Sequence, residues 1–265
     1  MMKYFQIRKN RKTVSVVRLS GVISASSRGG LSDQSLAPVL EKAFRKGKPS
    51  AVALVINSPG GSPVQSSLIG ARIRRLAEET ETPVYAFVED VAASGGYWLA
   101  VAADEIFVDQ SSIVGSIGVI SAGFGAHELL NRYGIERRVY TAGKSKSMLD
   151  PFRPENPEDV ERLKGSLEDI HEVFKSHVLS RRAGKIVEDQ DLFTGEIWLG
   201  QKAVDLGLVD GVGHLVPMMK EKFGDKVKFR VSERKKSFLG KFGMSFASQM
   251  VDFVEERAAF ARFGL

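Results

Sequence analysis

The chain of 265 residues contains no cysteine. Disulfide staples, thiolate nucleophiles and Cys-based zinc sites are therefore excluded by inventory. The redox compartment stays open, since a chain without thiols suits reducing and oxidising surroundings alike. Histidine is scarce, with four in all, which narrows any search for a general base. Long apolar runs are missing too. The opening stretch Met-Met-Lys-Tyr-Phe-Gln-Ile-Arg-Lys-Asn holds no signal-peptide core, and no segment approaches the roughly 18 apolar residues of a membrane span. As written, the chain reads as soluble and cytoplasmic. No repeat or low-complexity tract occurs. The net charge is +6, with basic residues concentrated only at Arg8–Lys12, Arg132–Arg138 and Arg234–Lys241. No nucleic-acid motif accompanies these clusters, so they read as solvated surface and no nucleic-acid partner is expected.

What is present suits a folded protein. Hydrophobic residues make up 43% and charged residues 26%, which argues against long disorder. The length allows one main body with small appendages. Apolar runs rich in β-branched residues at Val14–Leu19, Ala51–Ile56, Val84–Val88, Glu105–Val108, Gly118–Ile120 and Arg138–Thr141 predict short buried strands. Helical patterns lie between several of them, at Leu36–Phe44, Val64–Ala77, Ser94–Ala102 and Ala126–Tyr133. This alternation predicts an α/β fold with a mainly parallel sheet and layered helices. Residues 155–182 place Val160, Leu163, Leu167, Ile170, Phe174, Val178 and Leu179 at three- and four-residue spacing, the pattern of a long amphipathic helix. A strand is expected at Lys226–Val231. The main domain is expected over 1–232. Residues 233–265 form a basic, amphipathic segment in which Phe238, Phe242, Phe246, Met250 and Phe253 share one helical stripe. That stripe suits packing on the body or on another subunit, or peripheral contact with a membrane surface.

Two loops could carry chemistry. Asn57-Ser58-Pro59-Gly60-Gly61-Ser62 follows one strand and precedes a helix; its glycine pair leaves backbone N–H groups uncovered, as an oxyanion site requires, or forms only a turn. Ala93-Ser94-Gly95-Gly96-Tyr97-Trp98 repeats the strand-to-helix setting around a serine, either a nucleophile or a helix N-cap. A nucleophilic serine needs a base. His171 and His177 lie six apart on the long helix, His214 sits in the loop Asp210-Gly211-Val212-Gly213-His214, and His127 alone falls in the strand-helix region. Lysine is the alternative, at Lys144 and Lys146. An ordinary lysine titrates near 10.4, leaving about one in 2500 molecules as free base at pH 7, so burial must lower that value before it can serve.

Five segments occur in a fixed order: Asn57-Ser58-Pro59-Gly60-Gly61; Ala93-Ser94-Gly95-Gly96-Tyr97; Gly115-Ser116-Ile117-Gly118-Val119; Lys146-Ser147 with Pro151-Phe152; and Ala203–Asp210. Together they resemble the signal peptide peptidase A family of Ser/Lys serine peptidases, from about Val14 to Gly213. The resemblance implies a Clp protease/crotonase-like spiral of ββα type. It makes Ser94 the nucleophile, Lys146 the base and Ser116 the hydroxyl that helps hold the lysine amine. It assigns the oxyanion hole to the Gly60-Gly61 turn, Gly61 being the better donor, with Gly95 as a second. Lys146, not Lys144, stands five residues before the proline, as that family's base does. In Clp protease the base is a histidine; the corresponding stretch here is Gly118-Val119, so a Clp-type triad is not expected. The resemblance further implies no metal or cofactor, a homo-oligomer such as an octamer with active sites between subunits, and hydrophobic peptide substrates such as released signal peptides. Tyr97, Trp98 and Ile117 are wall or core residues. The competing readings are a crotonase-like acyl-CoA enzyme and a non-enzymatic, membrane-associated scaffold.

Overall fold

The computed structural model describes residues 11–25, 30–232 and 257–265. Its centre is a sheet of three long parallel strands, β1 (Thr13–Ser20), β2 (Ala51–Ser58) and β3 (Val84–Ala93). Strand β2 is a nearly unbroken apolar run because both its faces are covered. Val52, Leu54 and Ile56 pack with Leu36, Leu40 and Phe44 of α1 (Asp33–Arg45) and with Ile69, Ile73 and Leu76 of α2 (Pro63–Thr80). Ala51, Ala53 and Val55 join Met219 on the other side. Helix α2 begins where the sequence says it should: Ser62 caps it through the N–H of Gln65, and Pro63 occupies the first turn, where no N–H is required.

Strand β3 changes partner along its length. Tyr85–Val88 pairs with β4 (Glu105–Val108), whereas Val91–Ala93 pairs with β5 (Ile113–Gly115). The sheet therefore forks at Glu89 and Asp90, and beyond a register shift the tip of β3 still pairs with β2 through Ser58 and Ala92. There it leads into α3 (Gly95–Ala100). Beyond α4 (His127–Arg132) and α5 (Pro157–Arg182), β6 (Ile197–Leu199) adds antiparallel to β5. Then come α6 (Gly200–Asp205), β7 (Gly211–Val212) beside β4, α7 (Leu215–Phe223), which carries Met219, and β8 (Lys228–Ser232) beside β1. The fold is α/β, as expected. No helix among the described residues is long and apolar enough to cross a membrane.

Two expected strands are absent. At Gly118–Ile120 the chain is turning: Ser116 has φ 51° and the Gly118 N–H donates back to the Ser116 carbonyl at 3.0 Å; the strand lies earlier, at Ile113–Gly115. Arg138–Thr141 has strand-forming side chains but no partner strand, and a lone strand cannot satisfy its backbone. Helix α3 is shorter than the expected Ser94–Ala102, and α5 starts at Pro157 with Asn156 as its cap. The amphipathic stripe at Phe238–Phe253 lies outside the described residues.

A second region stands apart from this body. No residue from Gly118 to Val173 is buried. Phe124 is 95% exposed, Tyr140 89% and Tyr133 71%. The region is nevertheless tied to itself: the Ala126 N–H donates to the Pro151 carbonyl at 2.6 Å, Arg137 pairs with Asp150 at 3.0 Å, and the Arg137 guanidinium lies over the Phe152 ring. We refer to residues 118–156, with the first turns of α5, as the arm.

Candidate active site

The fork in the sheet puts Ser94 at the tip of β3, between the strand and α3. Its backbone adopts φ 52°, ψ −122°, a conformation that L residues rarely adopt and that costs of order 1–3 kcal/mol. Two hydrogen bonds hold it: the Ser94 N–H donates to the Gly115 carbonyl (2.8 Å), and the Trp98 N–H donates to the Ser94 carbonyl (3.0 Å). Ser94 occupies the N-cap position, yet its side chain makes no capping hydrogen bond. The hydroxyl is left for other work.

Gly60 and Gly61 press against this turn. Gly60 has φ +100°, and a Cβ there would fall 2.8 Å from the Ala93 carbonyl, the Gly95 nitrogen and the Ser94 Cβ. Gly61 has φ +143°, and a Cβ there would lie 2.1 Å from the Ile23 carbonyl oxygen. Ile23 pins the segment on both sides, its N–H donating to the Gly60 carbonyl and its carbonyl accepting from the Ser62 N–H, each at 2.8 Å. Between these bonds the Gly61 N–H has no described acceptor, and neither has the Gly95 N–H at the start of α3. A Cβ built on Gly95 would lie 3.4 Å from the Gly61 nitrogen, so these two backbone segments sit side by side next to Ser94. Two unclaimed donors beside a free hydroxyl are what an acyl-transfer site requires.

Ser94, Gly95, Gly61 and Ser116 line one cavity of about 490 Å³. Trp98, Val119, Ile120, Ile170 and Phe174 supply apolar walls. Ser116 stands in a second strained turn, its N–H donating to the Glu196 carbonyl (2.6 Å). The structure thus brings together every residue that the resemblance assigned to the site except Lys146, with Gly60 packed behind the lining. Lys146 does not line the cavity; it lies exposed on the arm and pairs with no described acidic group. Lys144 pairs with Glu158 at 3.5 Å. His127 is also on the arm, and His214 pairs with Asp109 at 2.9 Å.

The two histidines of α5 turn out to brace the site. The His171 Nε2 lies 3.1 Å from the Ile117 carbonyl, in the turn that presents Ser116. His177 stacks on the Trp98 ring at 4.2 Å, with its Nε2 3.4 Å from the Trp98 carbonyl. Burial holds the His177 imidazole below its ordinary value, favouring the neutral ring. Trp98 is a wall residue, while Tyr97 and Ile117 are core; the Tyr97 hydroxyl donates to the Leu208 carbonyl at 2.7 Å, and burial pushes its phenol up. The Ala203–Asp210 segment has its reason here as well. The Gly207 carbonyl accepts from the buried Arg182, and Asp210 pairs with Arg182 and Lys185, both at 2.7 Å, locking α5 to the body. Burial alone would raise the Asp210 pKa, but these two cations and the Ile106 N–H outweigh it and the pKa falls. Sequence reasoning missed Ser66, Thr194 and Gly195, which also line the cavity. Only the Thr-Gly pair before a strand offered any turn signal.

Comparison with known proteins gives the chain's family and the likeness of its fold. The model of peptidase family S49 matches residues 77–224. A Brucella melitensis protein named Na(+)/H(+) antiporter NhaA is 49% identical over 95% of this chain and 37% of its own length; the transport in that name belongs to that protein. The chloroplastic serine protease SPPA of Arabidopsis thaliana is 32% identical over 77% of this chain and 31% of its own, and the probable protease SohB of Haemophilus influenzae is 30% identical over 93% and 68%. The chain spans about a third of the first two of these relatives. Among solved structures, the 1510-N membrane-bound stomatin-specific protease superposes with a TM-score of 0.50 at 14% identity, over 83% of this chain and 97% of that one, a likeness of fold.

Proposed function

The chain belongs to peptidase family S49, and on that premise we propose that it is a serine peptidase in which Ser94 attacks the peptide carbonyl and Lys146 of a neighbouring copy is the general base. The observation that carries this reading is the composition of the cavity. Ser94 faces it with an uncapped hydroxyl beside the free Gly61 and Gly95 N–H groups, yet the described lining contains no His, Lys, Asp or Glu to take the proton. The base must come from elsewhere. The arm carries Lys146 and displays Phe124, Tyr133 and Tyr140 to water, an apolar surface of the kind that marks a protein contact. A second copy of the chain answers both deficits, since covering the arm would bring a lysine to the cavity and desolvate it.

In this mechanism Lys146 accepts the Ser94 proton as Oγ bonds to the carbonyl carbon, and the oxyanion takes hydrogen bonds from Gly61 and Gly95. The lysine then returns the proton to the leaving amine. Water, deprotonated by the same amine, releases the acyl group from Ser94. Ser116, which follows the Gly115 carbonyl that accepts from the Ser94 N–H, orients the amine. The apolar walls around Trp98 and Phe174 suit extended hydrophobic peptides, with released signal peptides as the substrate class. The test is turnover of short hydrophobic fluorogenic peptides across pH 6 to 10. Ser94→Ala and Lys146→Ala are each expected to be folded and to lose at least about a thousandfold in kcat. A Lys146→Ala protein with undiminished turnover would remove the lysine from the mechanism.

A further inference from the structure

Along β3, Val91 and Ala93 alternate with Ala92 and so face the opposite side of the sheet. Ala92 belongs to the main core, whereas Val91 and Ala93, with Ile113 from β5, form a small apolar cluster of their own. Among the described residues, the partly buried apolar side chains packed on it are Phe260 and Phe263, from the helical turn at residues 257–261 and the residues just after it. These two phenylalanines are half-buried, while Ala261 and Arg262 between them are exposed. The turn is closed locally, the Phe263 N–H donating to the Phe260 carbonyl at 2.9 Å. Arg262 and Phe263 also line the cavity that holds Ser94. The segment therefore rests on a shelf one residue from the nucleophile and fills part of the space a substrate would use.

We infer that Val91, Ala93 and Ile113 form a binding shelf for an aromatic-x-x-aromatic turn, and that the chain's own residues 257–265 occupy it in competition with peptide substrate. The competition, though not the docking, rests on the reading of Ser94 as the peptidase nucleophile. The spacing is what recognition requires: i and i+3 bring both rings to one side of a helical turn, and the small Ala93 leaves room for a ring next to Ser94. A substrate entering this side of the cavity must displace Phe263.

The probe is a fluorescein-labelled peptide with the sequence of Arg257–Leu265, titrated by fluorescence anisotropy into the full chain and into the full chain carrying Phe260→Ala and Phe263→Ala. If the segment holds the shelf about 90% of the time, the wild-type chain binds the probe about tenfold more weakly than the double variant. A probe with both phenylalanines replaced by alanine should bind neither. Equal affinities, or equal binding of the altered probe, would overturn the inference. The main cores lose nothing in the double variant, and matching thermal unfolding curves confirm that it is folded. With a fluorogenic substrate, its KM should fall severalfold at unchanged kcat; unchanged KM would remove the competition. Repeating the anisotropy in a Ser94→Ala background separates the two readings, because the affinity gap does not depend on the nucleophile. A wrong assignment of Ser94 shows instead as full turnover by Ser94→Ala with the gap intact.

Discussion

The body and the arm obey opposite rules. In the body, strands buried on both faces and glycines with no room for a Cβ hold the Ser94 turn in place. In the arm, dozens of residues pass without one of them buried as a whole, held by local turns and a few ion pairs around the Asp150 carboxylate. The body can keep a serine in a strained backbone because packing over-determines it. The arm leaves its lysine exposed and away from the cavity that holds Ser94. The contrast teaches that folding within the chain builds the nucleophile and its oxyanion donors, while the proposed base waits on a contact that the body does not supply.

The sharpest way to break that contrast is complementation. Ser94→Ala and Lys146→Ala proteins, each inactive, are dissociated, mixed in equal amounts and reassembled. If serine and lysine come from different copies, random mixing should restore about a quarter of wild-type turnover, because that share of sites receives both intact residues. No recovery would return the lysine to its own chain. A second measurement probes the body alone. Gly61→Ala puts a methyl where the Ile23 carbonyl stands and must shift the N–H it carries. Loss of one oxyanion donor usually costs roughly 2.7–4 kcal/mol, so kcat should fall about 10²–10³-fold with oligomeric mass unaltered. A folded, fully active Gly61→Ala protein would take that N–H out of the site.

The smallest effect lies where α5 crosses from arm to body. His177 is held neutral by burial, so its folded pKa lies below its ordinary 6.5. The unfolded chain then binds the extra proton more readily, and stability is lost as pH falls below about 6.5. The melting temperature should drop by about 2–4 °C for each kcal/mol involved. His177→Phe, which keeps a ring against Trp98, should flatten this part of the curve; an unchanged slope would assign it to other groups.

The fold class and most of the cavity were legible because their signals are local. A β-branched run ending in a glycine pair or a small-residue serine turn reports on its own backbone. The misreadings came from long-range pairing. Strand β6 is three residues long and exists only because β5 offers an edge, so Thr194 and Gly195 gave little sign of reaching the cavity. Arg138–Thr141 has the right side chains for a strand and no neighbour to pair with. His171 and His177 looked unrelated to the site because they sit on different faces of α5, yet each meets a different turn. The aromatic pair Phe260 and Phe263 was eclipsed by the longer phenylalanine stripe before it.

The exposed arm also sets when such an enzyme can act. On the proposed division between copies, a lone chain would carry a nucleophile without a base, and specific activity should rise with the chain's own concentration until assembly saturates. Hydrolysis would thereby be postponed until enough chains have accumulated to enclose the reaction.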